Sequence, residues 1–187
     1  RNGNPDIYMY DLNTQEETQI TTSESSQYYI GIYGNNIIWN DWHEGSEKRD
    51  IYLYNISTSK ETQITTNESD KWLPAIYEDK VAWIDYRYGN ANVYLYNLST
   101  SREMQITTSE SNSKYSPDIY GDRVVWVDGD IYMYNLSTSR ETQITFSESW
   151  KLQPVIYGDR IVWHDDRNGN YDICMYDLST SREIQIT

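Results

Sequence analysis

The sequence predicts an all-β fold, a β-propeller of four-stranded antiparallel blades. Three observations carry that reading. The first is a repeat of about 42 residues, a period that signals stacked or radial arrays whose single units cannot bury their own apolar faces. Its clearest copies are DIYMYDLNTQEETQIT from Asp6, DIYLYNISTSKETQIT from Asp50, NVYLYNLSTSREMQIT from Asn92, DIYMYNLSTSRETQIT from Asp130 and DICMYDLSTSREIQIT from Asp172. The glutamines of QIT, at Gln19, Gln63, Gln105, Gln143 and Gln185, are 44, 42, 38 and 42 residues apart. The second is a set of four segments between these copies: YYIGIYGNNIIWND, WLPAIYEDKVAWID, YSPDIYGDRVVWVD and LQPVIYGDRIVWHD. The third is the apolar composition. Tyr 19 and Trp 7 against Phe 1, with β-branched residues filling the rest, favour strands. No apolar stripe at i, i+3, i+4, i+7 runs for three turns, so no helix longer than about two turns is expected.

Each unit divides into strands a to d. In the third full unit strand a ends at Pro117-Asp118-Ile119-Tyr120, and Pro74, Pro117 and Pro154 are read as strand starts, where proline is tolerated. Gly121-Asp122 turns into strand b, Arg123-Val124-Val125-Trp126-Val127. Asp128-Gly129 is read as a two-residue type I′ hairpin, with positive φ at both positions. Strand c is Ile131 to Leu136, and a Ser137-Thr138-Ser139 turn leads to strand d, Glu141 to Thr145. Strands b and c are apolar on both faces, as expected for a sheet packed between two neighbours. Strand d is polar, as expected for an outer edge blunted by charge. A β-sandwich would not need four near-identical units, and a solenoid has shorter coils without tight hairpins.

One domain spans 1–187, with full blades over 28–65, 72–107, 115–145 and 152–187 and a half blade, strands c and d only, over 1–21. Four a–b pairs against five c–d pairs predict part of a longer propeller, or a five-bladed ring with one blade half formed. The inner edge near Ile7 to Leu12 is then a pairing and self-association site.

Composition narrows function. A net charge of −14 over 187 residues argues against nucleic acid and anionic membranes. No apolar run is long enough to span a bilayer. No signal peptide is present, although one could have preceded Arg1. The one cysteine, Cys174, replaces the Tyr8, Tyr52, Tyr94 and Tyr132 of other copies and reads as a small buried residue. No cofactor is implied.

The pattern W-x-D-x-R-N-G-N-x-D-I-Y-x-Y-D-L, as from Trp163 to Leu178, resembles the TolB-type propeller repeat, and more closely the repeat-rich cell-surface proteins of methanogenic archaea. The resemblance covers the whole chain. It implies an extracellular propeller module, often one of several in a large surface protein, and it carries over no catalytic residue. Trp42-His43-Glu44-Gly45-Ser46 and Asp128-Gly129 depart from it in loop length.

Variation between copies points to one face. Strands c and d keep a constant spacing, Ile7 to Gln19 and its equivalents all being 12 apart. The b–c interval varies: Trp39 to Ile51 is 12, Trp83 to Val93 is 10, Trp126 to Ile131 is 5 and Trp163 to Ile173 is 10. Antiparallel order puts the b–c and d–a loops on the same face. The aromatics outside the repeat skeleton lie there, and Trp42, Trp72, Tyr88, Tyr115 and Trp150 are the predicted ligand anchors. The alternative is that these rings fill gaps between blades.

Other motifs have two readings each. Asp166, Asn168, Asn170 and Asp172 alternate as calcium-loop ligands do, but the glycine is misplaced and Arg167 opposes a cation, so a plain hairpin competes. Asn55, Asn67, Asn97 and Asn135 head Asn-x-Ser sequons, usable for glycosylation, or equally turn caps. Catalysis has little support. His43 and His164 lie in different blades, and adjacent Asp165 and Asp166 point apart on a strand. A glycosidase would need two carboxylates converging in the channel. The expected function is a non-enzymatic, extracellular module for surface structure, adhesion, or protein or glycan binding. The alternative is a propeller glycan hydrolase or lyase with its site on the same face.

Overall fold

The structure, a computed structural model, describes residues 4–43, 45–108, 110 and 113–187. Every regular element among them is a strand. A half blade pairs β1 (Tyr8–Asp11) with β2 (Glu16–Gln19). Blade 1 is β3 (Ser26–Tyr33), β4 (Asn36–Trp42), β5 (Asp50–Asn55) and β6 (Lys60–Gln63). Blade 2 is β7 (Lys71–Tyr77), β8 (Lys80–Asp85), β9 (Asn92–Asn97) and β10 (Arg102–Gln105). Blade 3 is β11 (Lys114–Tyr120), β12 (Arg123–Asp128), β13 (Asp130–Asn135) and β14 (Arg140–Gln143). Blade 4 is β15 (Lys151–Tyr157), β16 (Arg160–Asp165), β17 (Asp172–Asp177) and β18 (Arg182–Gln185). Each full blade is one antiparallel sheet in a-b-c-d order.

The a–b hairpins close as predicted. Tyr33 pairs with Asn36, leaving Gly34-Asn35 as the turn, and Gly34 has φ 54°. Positive φ at the first central position is what a II′ hairpin needs. Blade 2 puts Glu78 there, also left-handed at φ 52°.

Two local readings are corrected. Proline does not start strand a. The strand begins about three residues earlier, and Pro74, Pro117 and Pro154 sit inside a β-bulge just after Leu73, Ser116 and Gln153, which have φ of 55°, 50° and 49°. A bulge leaves backbone groups outside the ladder, so the missing proline N–H is no loss. Likewise the b–c turn of blade 3 is not a two-residue hairpin. Asp128 pairs directly with Asp130, and Gly129 alone turns the chain, at φ 75°.

The core lies between blades. Along each strand b alternate residues face opposite neighbours, as the two-residue period of a strand requires. Val124 and Trp126 pack with Ala82, Ile84, Val93 and Leu95 of blade 2, whereas Val125 and Val127 join Ile156, Ile161 and Trp163 of blade 4. Val81 and Trp83 likewise meet Ile38 and Ile51 of blade 1. Ile7 and Ile20 of the half blade cover Ile37 and Trp39. The tryptophan of every strand b therefore faces the preceding blade, and each is at most 1% exposed.

The QIT motif is a clamp. Its threonine hydroxyl accepts the N–H of the β-branched residue at the start of strand c in all five units: Ile7 to Thr21, Ile51 to Thr65, Val93 to Thr107, Ile131 to Thr145 and Ile173 to Thr187, at 2.8–3.0 Å. Its glutamine amide donates to that threonine's carbonyl in each copy. The isoleucine between them enters the next interblade cluster, so Ile144 is 5% exposed. Ile186, which no described blade covers, is 54% exposed.

Tyr33, Tyr77, Tyr120 and Tyr157 form a ladder of rings across the four inner strands, with centroids 4.7, 4.6 and 4.8 Å apart. The bulged segments of those strands line a central groove of about 470 Å³.

Replacing Trp126 by Ala should cost about 3–5 kcal/mol in a denaturant titration, since a fully buried ring leaves a cavity. Ile186→Ala should change stability by under about 0.5 kcal/mol, as an exposed substitution does. Equal losses at the two positions would contradict an interblade core.

Candidate functional site: the b–c and d–a loop face

The loops that vary between copies meet on one face, and a repeated polar cluster fixes them there. In blade 2 the indole of Trp83 donates to Asp85 Oδ2 at 3.2 Å, and Ser69 of the d–a loop donates to Asp85 Oδ1 at 2.7 Å. Arg87, two residues on, gives its backbone N–H to Oδ1 at 2.8 Å and its Nη2 to Oδ2 at 2.7 Å. Its Nη1 reaches Glu103 of strand d at 2.5 Å, and the guanidinium lies 3.9 Å from the Tyr94 ring centroid. Blade 4 repeats this. Trp163 and Arg167 both donate to Asp165, and Arg167 pairs with Glu183 at 2.5 Å. There Cys174 replaces the tyrosine.

A buried carboxylate needs such partners. Burial pushes Asp85 and Asp165 up, but the hydrogen bonds from arginine, tryptophan and serine outweigh it and hold both carboxyls below the usual range. Burial also pushes the Tyr94 phenol up to about 12.

Blades 1 and 3 lack the arginine. In blade 1 His43 takes its place, 3.5 Å from Asp41 Oδ1, an oxygen that accepts no hydrogen bond within the protein. In blade 3 the shortened loop removes the residue altogether. Burial and the nearby aspartate, Asp41 or Asp128, push the strand-d carboxyls Glu61 and Glu141 up, Lys114 partly opposing this at Glu141.

Buried lysines tie the d–a loops down. Lys71 Nζ donates to the carbonyls of Asn67 and Ser69 at 2.6 and 2.5 Å and pairs with Asp50 of the preceding blade at 3.0 Å. Lys151 does the same with Ser147, Ser149 and Asp130. Sequence reasoning missed these lysines and the role of the arginines. The signals were a lysine opening three of the four a strands and the W-x-D-x-R spacing in blades 2 and 4.

The predicted anchors fall into two groups. Tyr88 is 72% exposed and Trp150 68%. The other three rings are engaged within the protein. Trp72 lies under the Arg49 guanidinium at 3.7 Å and donates to Asp70 at 2.5 Å. Tyr115 packs on the cluster between blades 3 and 4 and donates to the Lys151 carbonyl at 2.7 Å. Trp42 donates to the Ser46 carbonyl at 2.8 Å. Trp72 and Tyr115 thus contact neighbouring blades, as the gap-filling alternative has it, whereas Trp42 is held by its own b–c loop.

The calcium candidate is a self-bonded hairpin. The amides of Asn168 and Asn170 both donate to Asp172, each at 3.0 Å, and Asp166 accepts the Trp150 N–H at 2.7 Å. Donor hydrogens face the carboxylate where a cation would need lone pairs. The sequon asparagines are turn caps: Asn55, Asn97 and Asn135 accept the N–H and hydroxyl of the threonine three residues on, and Asn67 those of Ser69. Capping by the side-chain oxygen does not consume an acceptor nitrogen, but at Asn55 and Asn97 the amide also donates, to Asn36 and Asp79.

In the central groove the one carboxylate among the described lining residues is Asp118, which accepts the Ile156 N–H at 2.7 Å; burial raises its carboxyl. Two converging carboxylates are not assembled there by the described residues. Nor do those residues bring three or more His, Cys, Asp or Glu together in a group able to hold a metal ion.

The architecture matches solved propellers. TolB from Acinetobacter baumannii superposes with a TM-score of 0.76 at 17% identity, over 97% of this chain and 48% of that one. A TolB-like protein from Agrobacterium tumefaciens, described as a putative TolB, gives 0.75 at 16%, over 98% and 74%. An oligogalacturonate lyase in complex with manganese gives 0.73 at 15%, over 97% and 58%. The fold is that of a TolB-like β-propeller. The chain spans about half the length of the Acinetobacter protein. No family model and no curated protein matches its sequence.

Arg87→Ala should cost about 3–5 kcal/mol at neutral pH, because Asp85 is left buried without its counter-charge. The lowered Asp85 carboxyl contributes stability above its unfolded value, lost only as pH falls through the lower folded value. In the variant that contribution is absent, and Asp85 takes up a proton instead. The deficit should therefore shrink between pH 7 and about pH 4. A deficit independent of pH would contradict the ion-pair account.

Proposed function

We propose that this chain is a non-enzymatic binding module of the cell surface that contacts a protein or glycan through its b–c and d–a loop face. The observation that supports this most is the contrast between two kinds of side chain on that face. The carboxylates that end strand b in blades 2 and 4 are paired with internal arginines. Large rings, by contrast, stand out in solvent: Phe146, Trp150 and Tyr171 around blade 4 and Tyr88 on blade 2. Exposed rings on an anchored polar frame suit stacking against sugar rings or a partner's apolar side chains. The surface location rests on the likeness of the repeats to archaeal surface proteins.

The competing reading, a propeller glycan hydrolase or lyase, draws on the manganese-bound lyase among the similar folds. A single screen separates the two. Purified protein goes on a glycan array and is incubated with generic glycosidase and polysaccharide-lyase substrates. Retention of a glycan without turnover is expected. Turnover would replace this reading by the enzymatic one.

For a retained glycan, Trp150→Ala and Tyr88→Ala should each weaken binding about tenfold, as loss of an interface ring does, and move stability by under about 0.5 kcal/mol. Trp72→Ala should instead lower stability through its Arg49 and Asp70 contacts. Unchanged binding in both Trp150→Ala and Tyr88→Ala would place the contact surface elsewhere.

A further inference from the structure

The four blades are internal controls for one another, and blade 3 differs from blades 2 and 4 in its b–c loop. In those two blades a guanidinium bridges the aspartate that ends strand b and a glutamate of strand d, Asp85 with Glu103 and Asp165 with Glu183. In blade 2 it also lies over the strand-c ring of Tyr94. The corresponding residues of blade 3 are Asp128, Glu141 and Tyr132. No arginine accompanies them, because Gly129 alone replaces the six residues Tyr86 to Ala91 of blade 2. In its place is a cleft of about 330 Å³, lined by Asp128, Glu141, Tyr132, Trp126, Lys114 and the Thr107–Thr108 segment.

Charge agrees with shape. Lys151 and Lys71 pair with an aspartate of the preceding blade, but at that position blade 2 carries neutral Asn92. Lys114 turns instead to Asp128 of its own blade, at 3.5 Å. The charged side chains among the described residues lining the cleft, Asp128, Glu141 and Lys114, sum to one negative charge (−1 −1 +1), which one monovalent cation offsets. The described residues form no group suited to a metal ion, and a flat ring beside carboxylates suits a planar cation.

We propose that the blade 3 cleft binds a guanidinium group supplied from outside the blade, an arginine side chain of a polypeptide or a free guanidino compound. It would sit where Arg87 and Arg167 sit in their own blades, between Glu141 and Asp128 and against the Tyr132 ring. This deepens the reading of the loop face as a contact surface. It is tested apart from the exposed rings, since Tyr88 and Trp150 do not line the cleft.

The test is an amide-resolved NMR titration with N-acetyl-arginine N-methylamide and, in a second arm, agmatine. N-acetyl-lysine N-methylamide and N-acetyl-citrulline N-methylamide are the controls. Saturable shifts at Gly129 and Glu141 are expected with both guanidinium probes, and the tighter of the two identifies the source. The lysine probe should bind at least about fivefold more weakly, because an ammonium cannot bridge two carboxylates as a planar fork does. The neutral citrulline probe should give no saturation. Glu141→Gln, on the exposed outer strand, should weaken binding at least about fivefold at unchanged melting temperature. Replacing Gly129 by the blade 2 segment Tyr-Arg-Tyr-Gly-Asn-Ala should abolish it by filling the cleft from within. Absence of saturation at millimolar arginine probe, an equal response to citrulline, or undiminished binding by Glu141→Gln would each overturn the proposal. Any of them would leave the glycan-array test of Trp150 and Tyr88 standing.

Discussion

No blade of this protein can bury its own two faces, and that constraint organises the rest. Four thin strands make a sheet with apolar residues on both sides, so each sheet is stable only against another. Strand b meets the constraint by sending alternate side chains in opposite directions. Its tryptophan goes backward, as Trp126 does into blade 2, and the small β-branched residues beside it go forward, as Val125 and Val127 do into blade 4. Burying one indole against each interface removes a large apolar area from water per residue used. The same constraint explains the exposed ends. Ile186 and Tyr157 of blade 4, whose counterparts Ile144 and Tyr120 in blade 3 pack against blade 4, are exposed because no described blade covers that face.

Polar groups then have to be satisfied inside a wall of apolar contacts. Three devices recur: the threonine–glutamine clamp on strand c, the lysine that collects d–a carbonyls, and the tryptophan–aspartate–arginine cluster. The lysine joins neighbouring blades, whereas the clamp and the cluster join strands and loops of one blade. The threonine bonds of the first four units, the tryptophan bonds and the lysine side chains are buried, where an unmade bond is costly. Together they hold the loops of one face in a fixed frame. Where a device is incomplete, as at Asp41 of blade 1, a buried carboxylate oxygen is left without a hydrogen bond within the protein. Repetition thus builds the frame, and departures from it supply the chemistry.

Much of the fold was legible because repetition multiplies weak local signals. Gly-Asn in blade 1 and Gly-Asp in blades 3 and 4 mark a hairpin between apolar runs, and the same hairpin marked three times fixes a blade. The Trp39, Trp83, Trp126 and Trp163 series fixed strand b in the same way. What could not be read were contacts made across blades. Lys71 looks like a solvent-facing charge until Asp50, 21 residues away, closes on it. Trp72 and Tyr115 look like free rings in variable loops, but Arg49 and the Lys151 carbonyl engage them from neighbouring units. The proline bulges were misjudged for a local reason. Left-handed φ at Leu73, Ser116 and Gln153 is not encoded by residue types that favour it. The surrounding sheet imposes it.

Native-state hydrogen exchange tests the interblade account most directly, because it reads the stability of each strand separately. If every sheet depends on its neighbours, amides of β8, β9, β12 and β13, covered on both faces, should be the most protected. Protection should fall toward β1 and β2 at one end and β17 and β18 at the other. Equal protection of β17 and β9, or a half blade as slow to exchange as blade 3, would show that single sheets are stable by themselves and would contradict the account.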